Sequence, residues 1–292
     1  MLLQFAITGL AVGLVYSLIA LGFVLVWKST GVANLALGQL LLLFAWISYA
    51  MLAQTGLPVW MALVVTVVFA IIVGWLIERI ILRPLIAQPI LSLITVTLGL
   101  AFVIEGLVSI IWPQGLAAMP RLFPQEALHV GSAVVSPEYL WAAGISIVLF
   151  ISLTLFFKYN STGVVMRATA DDQRAVQACG IPVTHIFSRS WMLACALAAV
   201  GGVLMASITG VTQALVDTGL RSFSVVILGG LDSFLGAMLA GPIIGLAQNV
   251  GGGFLTPHLW PGVNEVIPFI IIIIVMFIKP YGLFGEERIE RI

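Results

Sequence analysis

One acidic residue stands out because it lies inside an otherwise apolar stretch of the chain. Glu105 interrupts the uncharged run of residues 88–112, where a carboxylate costs about 2.5–3.5 kcal/mol on membrane-insertion scales and usually faces a cavity or a partner. A simpler interpretation is that Glu105 lies near the outer end of a helix, because Trp112 is two turns away and an indole often marks the membrane interface. Glu105 is therefore a candidate residue of a polar path.

Four neutral polar residues occur in similarly apolar surroundings. Asn34 and Gln39 belong to the run of residues 32–53, and Thr95 and Thr97 to the run of residues 88–112. Hydrocarbon tolerates such groups poorly, whereas a water-filled path offers them hydrogen bonds. Neutral polar groups also link one helix to another, and this alternative stays open. The predicted path consists of Asn34, Gln39, Thr95, Thr97 and Glu105.

Residues that could catalyse a reaction or bind a metal do not converge in the sequence. A phosphate-binding loop needs Gly-x4-Gly-Lys-Ser/Thr, and the closest segment, residues 22–29, has Trp27 in place of the second glycine. The chain contains neither His-Glu-x-x-His nor Gly-x-Ser-x-Gly, and its three histidines are far apart. We therefore predict no catalytic residue, no metal site and no ATP bound through a phosphate-binding loop.

The elements that must position these residues are membrane-spanning helices. Of 292 residues, 61% are hydrophobic and 8% are charged, whereas soluble domains average about 25% charged residues. Twelve bases balance twelve acids, so no attraction to nucleic acid is implied. Six uncharged runs have the length of a spanning helix, and a glycine-rich region, 222–253, and a closing apolar run, 266–278, follow them. The six runs are residues 3–27, 32–53, 58–77, 88–112, 139–157 and 190–213.

The bases predict the orientation, because basic loops stay cytoplasmic. With the N-terminus outside, one helix over 222–249 gives eight spans, with seven bases inside and five outside. A break at residues 229–233 gives nine spans, with ten bases inside and two outside. We therefore predict an all-α integral membrane protein, a polytopic bundle of eight or nine transmembrane helices with a cytoplasmic C-terminus. Residues 1–292 form one transmembrane domain, with a periplasmic loop at 113–138 and a cytoplasmic loop at 158–189.

Several motifs resemble a known family of transporters. The pattern Gly163-x3-Arg167-Ala168, followed by Asp171-Asp172-x2-Ala175-x3-Cys179-Gly180-Ile181, resembles the cytoplasmic loop of branched-chain amino-acid-type ABC transporter permeases of the LivH/LivM class. Five further segments are similar to that family in the same order, so the resemblance covers nearly the whole chain. They are residues 16–22, 31–39, 78–85, 226–237 and 279–285.

The chain departs from the family pattern in two places. Leu37 and Gln39 stand where the family's second span usually has His and Glu. A Gly-Gly-Leu-Asp-Ser sequence at residues 229–233 replaces the usual Gly-Gly-x-Gly-Ser. The loss of charge in the second span bears directly on which solute is carried.

The resemblance implies a permease subunit of an ATP-binding-cassette importer in a bacterial inner membrane. Its expected partners are a second permease subunit, homologous or identical, two ATP-binding subunits that use ATP-Mg, and a periplasmic solute-binding protein. The chain itself would carry no cofactor and would not be an enzyme. Branched-chain amino acids are the solutes that the resemblance suggests, and urea, amides or aromatic acids are alternatives. A self-sufficient secondary carrier or channel and an intramembrane enzyme are the other interpretations.

The cytoplasmic loop is predicted to couple the permease to its ATPases. Gly163 frees the chain after the fifth span, residues 167–179 form about three turns of helix, and Gly180 ends that helix. Small and charged residues along it suit contact with a rigid partner, and the turn at residues 229–233 forms a second contact on the same face. The residues predicted to couple are Gly163, Arg167, Ala168, Asp171, Asp172, Arg174, Ala175, Gly180, Gly229, Gly230 and Asp232.

Overall fold

The protein is a bundle of helices. The computed structural model describes residues 1–85, 88–123, 128–130, 133–256, 258 and 262–285. Two of the helices continue into wider π-helical turns, at Ala50–Gln54 and Ile77–Leu82. In these ranges the helices are α1 Leu2–Thr30, α2 Leu37–Tyr49, α3 Val59–Leu76, α4 Ile90–Ile111, α5 Pro137–Tyr159, α6 Ser161–Asp171, α7 Gln173–Ala178, α8 Val183–Thr209, α9 Ala214–Gly229, α10 Phe234–Leu255 and α11 Val263–Ile278.

Seven of the helices in the described ranges are long and apolar enough to cross a membrane. They include a helix in each of the six uncharged runs of the sequence and, in addition, α10. Helices α9 and α11 have 16 residues each, about 24 Å of helix against about 30 Å of hydrocarbon. The predicted break is present, because α9 ends at Gly229 and α10 begins at Phe234. The prediction of eight or nine spans therefore depends on these two short helices.

Helix α1 forms the centre of the bundle. In the most apolar 18-residue stretch of α1, 89% of the residues are buried. The helix packs against α8 and α10. Gly13 of α1 and Gly241 of α10 touch so closely that a methyl group on either would overlap the other helix. Such contacts between small residues suit a membrane bundle, where packing and not the hydrophobic effect holds helices together.

A proline inside α10 is compensated by a hydroxyl from α1. Pro242 lies within the helix and has no N–H, so the carbonyl of Met238, four residues earlier, loses its helical hydrogen bond. The Ser17 hydroxyl of α1 donates to that carbonyl at 3.0 Å. A side chain from a neighbouring helix thus satisfies a backbone group that lipid cannot.

The helical path is interrupted between α1 and α2. Gly31, with φ 68°, ends α1, and residues 31–36 are not helical although Val32, Asn34 and Ala36 are buried. The prediction of a continuous helix over residues 32–53 is wrong at its start, because the Asn34 Oδ1 accepts a hydrogen bond from the Ala36 N–H at 3.2 Å and stabilises a turn there. Helix α2 therefore begins at Leu37, inside the protein.

Within the described residues, four short strands add to the predicted all-α fold. β1 (Leu116–Ala117) pairs antiparallel with β4 (Val211–Thr212) and joins the loop after α4 to the end of α8. β2 (Leu128–Val130) pairs with β3 (Ala133–Val135) within the predicted loop 113–138, of which residues 124–127 and 131–132 lie outside the described residues.

Candidate functional site

Two amide side chains from other parts of the chain approach the carboxylate of Glu105. One carboxylate oxygen, Oε1, accepts a hydrogen bond from the Gln213 Nε2 at 2.9 Å. The other, Oε2, lies 3.5 Å from the Gln39 Nε2. We call Gln39, Glu105 and Gln213 the polar cluster.

Two helix starts surround the carboxylate of the polar cluster. Gln39 is the third residue of α2, and Gln213 is the N-cap residue of α9. Helix N-termini carry partial positive charge, so they stabilise a carboxylate or another anionic group placed near them. This arrangement depends on the non-helical segment 31–36, because that segment lets α2 begin inside the bundle.

The polar cluster lies away from the end of its helix. Glu105 is six residues from the end of α4 at Ile111, which corresponds to about 9 Å. Trp112, expected to mark the membrane interface, is instead 8% exposed and stacks on Trp46 with the ring centroids 5.5 Å apart. Trp112 therefore packs in the core, and its position does not support the interpretation of Glu105 as an interfacial residue.

Four of the five predicted path residues lie in the polar cluster or where α4 packs on the segment before α2, and the fifth, Thr95, does not. Gln39 and Glu105 come together in the polar cluster, with the Gln39 Nε2 3.5 Å from the Glu105 Oε2. Two residues are buried where α4 packs on the non-helical segment 31–36: the hydroxyl of Thr97 in α4 lies 3.2 Å from the Ala33 carbonyl, and Asn34 caps the turn before α2. These two residues build the fold around the cluster, although the Asn34 Nδ2 has no hydrogen-bond partner among the described residues.

The polar cluster excludes one predicted path residue, Thr95, and includes one that was not predicted, Gln213. Thr95 is exposed on the outer face of α4 and donates to the carbonyl of Leu91 in its own helix at 2.8 Å, so it does not join the polar cluster. Gln213 was missing from the prediction. The available signal was its position as the first strongly polar residue after the apolar run of α8, directly before a new helix.

The polar cluster is open at one side of the subunit. Gln213 and Asp217 of α9 are exposed, and the outer face of α4 has open space beside Gly99 and Gly106. In the described ranges, no three His, Cys, Asp or Glu side chains form a group that could hold a metal ion. The cluster can hydrogen-bond a polar solute or water, and covering it requires another surface.

The predicted coupling segment consists of two helices and not one. Asp172 interrupts the predicted helix 167–179 because its Oδ1 accepts hydrogen bonds from the N–H groups of Arg174 and Ala175, at 2.8 and 3.0 Å, and caps α7. Gly180, with φ 78°, follows the end of α7 as predicted. Seven of the predicted coupling residues are exposed, namely Arg167, Ala168, Asp171, Asp172, Arg174, Ala175 and Gly180.

Gly163 has a different role from the predicted one. Helix α6 already begins at Ser161, with the Asn160 side chain accepting a hydrogen bond from the Thr162 N–H at 2.9 Å. Gly163 is buried in α6, where a Cβ would collide with the backbone of Phe156 and Phe157 in α5. It therefore allows α6 to pack closely on the end of α5.

The turn between α9 and α10 lies at the same end of the bundle as this segment. Near the end of α1, the Ser29 carbonyl accepts a hydrogen bond from the Gln173 side chain of α7 at 2.9 Å, and the Lys28 ammonium lies 5.4 Å from the ring centre of Phe234 in α10. The predicted second contact, Gly229, Gly230 and Asp232, is thus close to the predicted coupling helices.

The C-terminal segment packs onto that turn. The N–H groups of Leu283 and Phe284 donate to the carbonyls of Leu228 and Gly229, at 2.8 and 3.1 Å. Gly230 has φ 102°, and a side chain there would also overlap Gly285. The C-terminal segment therefore fixes the position of the turn through hydrogen bonds and close packing.

Comparison with known proteins identifies the family. The family model described as "Branched-chain amino acid transport system / permease component" matches residues 5–276. The chain belongs to this permease family. The family predicted from the sequence motifs is thereby confirmed, and the chain is a multi-pass membrane permease component.

The permease is similar to named members of the family over nearly its whole length. It is 27% identical over 309 residues to the high-affinity branched-chain amino acid transport system permease protein LivH of Escherichia coli (strain K12), with 99% of this chain and 97% of LivH covered. It is 28% identical to the corresponding protein BraD of Pseudomonas aeruginosa, with 99% and 98% covered. The solved structure of PsaBC from Streptococcus pneumoniae in complex with Fab has a similar fold, with a TM-score of 0.54, 16% identity, and 95% of this chain and 91% of that chain covered.

Proposed function

We propose that this permease is the membrane subunit of an ATP-driven importer that carries branched-chain amino acids across a bacterial inner membrane. The observation that carries the proposal is the polar cluster, in which a carboxylate is held by two amides between three helices and is open at the subunit's side. The names of LivH and BraD support the solute class.

The polar cluster suits a zwitterionic solute. The Glu105 carboxylate is a hydrogen-bond acceptor for the solute's ammonium group, and a charge-assisted bond of this kind is stronger than a neutral one. The N-terminal ends of α2 and α9 attract the solute's carboxylate. The apolar side chain would then contact the exposed apolar face of α4, which includes Phe102, Val103 and Leu107.

The open side of the polar cluster supports a second permease subunit, homologous or identical, as the missing wall of the path. Asp217 is exposed on α9, and hydrocarbon is a costly environment for a carboxylate. A path between two subunits would give Asp217 and Gln213 access to water. Two ATP-binding subunits that hydrolyse ATP-Mg would dock on the end that carries α6 and α7, and a periplasmic solute-binding protein would dock on the opposite end.

The orientation proposed is an outside N-terminus, nine spans and a cytoplasmic C-terminus. The count of ten bases inside and two outside supports it. Arg288 and Arg291 contribute to that count and lie outside the described residues.

Transport by the assembled importer tests the role of Glu105. Glu105→Gln keeps the shape but removes the charge, and a hydrogen bond to a charged group is worth about 1.5–3 kcal/mol. We expect leucine uptake to fall roughly tenfold or more, because 1.4 kcal/mol is about a factor of ten, while the permease stays assembled with its partners. Glu138→Gln at the start of α5 is the matched control. Equal uptake in the two variants would contradict the proposal.

A second experiment tests the coupling segment. Ala175→Arg places a bulky charge on the exposed face of α7, and we expect loss of ATPase subunits or of solute-stimulated ATP hydrolysis at an unchanged amount of permease in the membrane. Ala118→Arg, an exposed alanine in the loop after α4, is the control. If Ala175→Arg retains both ATPases and uptake, the coupling element lies elsewhere, first at residues 229–233.

A further inference from the structure

A cavity of about 370 Å³ opens between α1, α5, α6 and α10, away from the polar cluster. Its walls are mainly apolar, and its rim carries two bases, Lys158 at the end of α5 and Arg167 of α6. Among the wall residues, Phe157 and Phe234 stack on each other with the ring centroids 4.8 Å apart.

A third base lies close to the two that line this cavity. The Lys28 ammonium adds a third positive group, because it lies 5.4 Å from the ring centre of Phe234. Together with Lys158 and Arg167, it places three positive groups from α1, α5 and α6 around the cavity.

The bases and the apolar walls are arranged along the helix direction. Leu21 and Leu25 line the cavity one to two turns before Lys28 on α1, and Leu153 lies more than one turn before Lys158 on α5. The cavity thus runs from a positive rim at the end of the bundle into apolar surroundings deeper in it. This polarity matches a phospholipid, with its phosphate at the interface and its acyl chain below.

We propose that this cavity binds an anionic phospholipid, with the headgroup phosphate held by Lys158, Arg167 and Lys28 and part of one acyl chain between α1, α5 and α10. Basic pockets between transmembrane helices recognise anionic headgroups in this way. A soluble phosphate would use the rim but not the apolar walls. The inference goes beyond the proposed function, since it requires neither a particular solute nor ATP hydrolysis.

Retention of lipid by the purified full-length permease tests this inference. Native mass spectrometry would compare phosphatidylglycerol with phosphatidylcholine of the same acyl chains, added to delipidated protein. We expect preferential retention of phosphatidylglycerol, and a roughly tenfold or greater loss of that preference in the double variant Lys158→Ala, Arg167→Ala, because each base near an anionic lipid contributes to its attraction. Arg79→Ala is the matched control, since Arg79 is an exposed base that does not line the cavity.

A second variant separates the acyl-chain site from the charges. Thr154 lines the cavity, and its hydroxyl donates to the Phe150 carbonyl of its own helix at 2.8 Å. Thr154→Trp should fill the apolar part, leave the bases in place and lower phosphatidylglycerol retention several-fold at unchanged thermal stability. Three outcomes overturn the inference: equal retention in the double variant and Arg79→Ala, displacement of the lipid by inorganic phosphate alone, or formation of a permease dimer that excludes the lipid.

Discussion

The hydrogen bond from Ser17 to Met238 allows a quantitative test of how α1 and α10 are held together. Ser17→Ala removes the hydroxyl that satisfies the Met238 carbonyl, and Pro242 cannot supply an N–H in its place. Leaving a buried polar group unsatisfied costs about 1–3 kcal/mol, whereas hydrogen bonds between membrane helices average about 0.6 and reach about 1.7 kcal/mol. We therefore expect Ser17→Ala to lower the free energy of unfolding by about 1–2 kcal/mol.

The same reasoning predicts that the cost of Ser17→Ala depends on the proline. In a Pro242→Ala background, the new N–H of residue 242 can donate to Met238, so Ser17→Ala should cost less than about 0.5 kcal/mol. The coupling energy of the double-mutant cycle should be about 1 kcal/mol. Ser222→Ala is the control, because Ser222 is equally buried but its hydroxyl donates to the Thr218 carbonyl of its own helix at 2.8 Å.

Equilibrium unfolding of the detergent-solubilised permease by SDS would measure these free energies, with tryptophan fluorescence as the signal. Equal costs of Ser17→Ala with and without Pro242 would refute the reasoning, since the hydroxyl would then not replace the missing N–H. If Ser222→Ala lowers the free energy of unfolding as much as Ser17→Ala, the loss is a general effect of removing a buried hydroxyl and does not report the hydrogen bond to Met238.

Three further predictions concern the end of the bundle that carries the bases. Arg83→Met should destabilise the permease by about 3 kcal/mol in SDS unfolding, because it strips the buried Glu78 of its ion-pair partner; a loss below 1 kcal/mol would contradict this. Asp172→Ala should lower the stability of α7 by about 1 kcal/mol because it removes the N-cap. Backbone amides of α7 should then exchange hydrogen faster, whereas Asp171→Ala should leave their exchange unchanged. A cysteine at Ser233 should react slowly with an impermeant maleimide in intact cells and quickly in inverted vesicles, and the reverse order would invert the proposed topology.

Local sequence features predicted the helices and the break between α9 and α10. Uncharged runs of about 20 residues leave few alternatives to spanning helices, and the Gly-Gly-Leu-Asp-Ser sequence combines helix-ending glycines with the Ser233 side chain that caps α10. The two capping positions around α7 show the limit of this approach. The sequence predicts that Gly180 ends the helix, but it also predicts a helix that continues through Asp172. An aspartate inside a polar helix and an aspartate at an N-cap have similar neighbours in the sequence, so the pattern does not separate them.

Contacts between distant residues could not be read from the sequence. Glu105 is costly in lipid, which indicates that it has partners but not that they are Gln39 and Gln213. The break at residues 31–36 was missed for the same reason. Asn34 turns the chain there and the Thr97 hydroxyl approaches the Ala33 carbonyl, whereas the uncharged sequence favours a continuous helix.

The C-terminal segment has a mechanical consequence for the turn between α9 and α10. The N–H groups of Leu283 and Phe284 donate to the carbonyls of Leu228 and Gly229. These two hydrogen bonds connect the segment after α11 to the end of α9. If a partner protein docks at this turn, as proposed above, we expect α9, α10 and α11 to move together. Because Gln213 is the N-cap residue at the opposite end of α9 and donates to Glu105, α9 links this turn directly to the polar cluster.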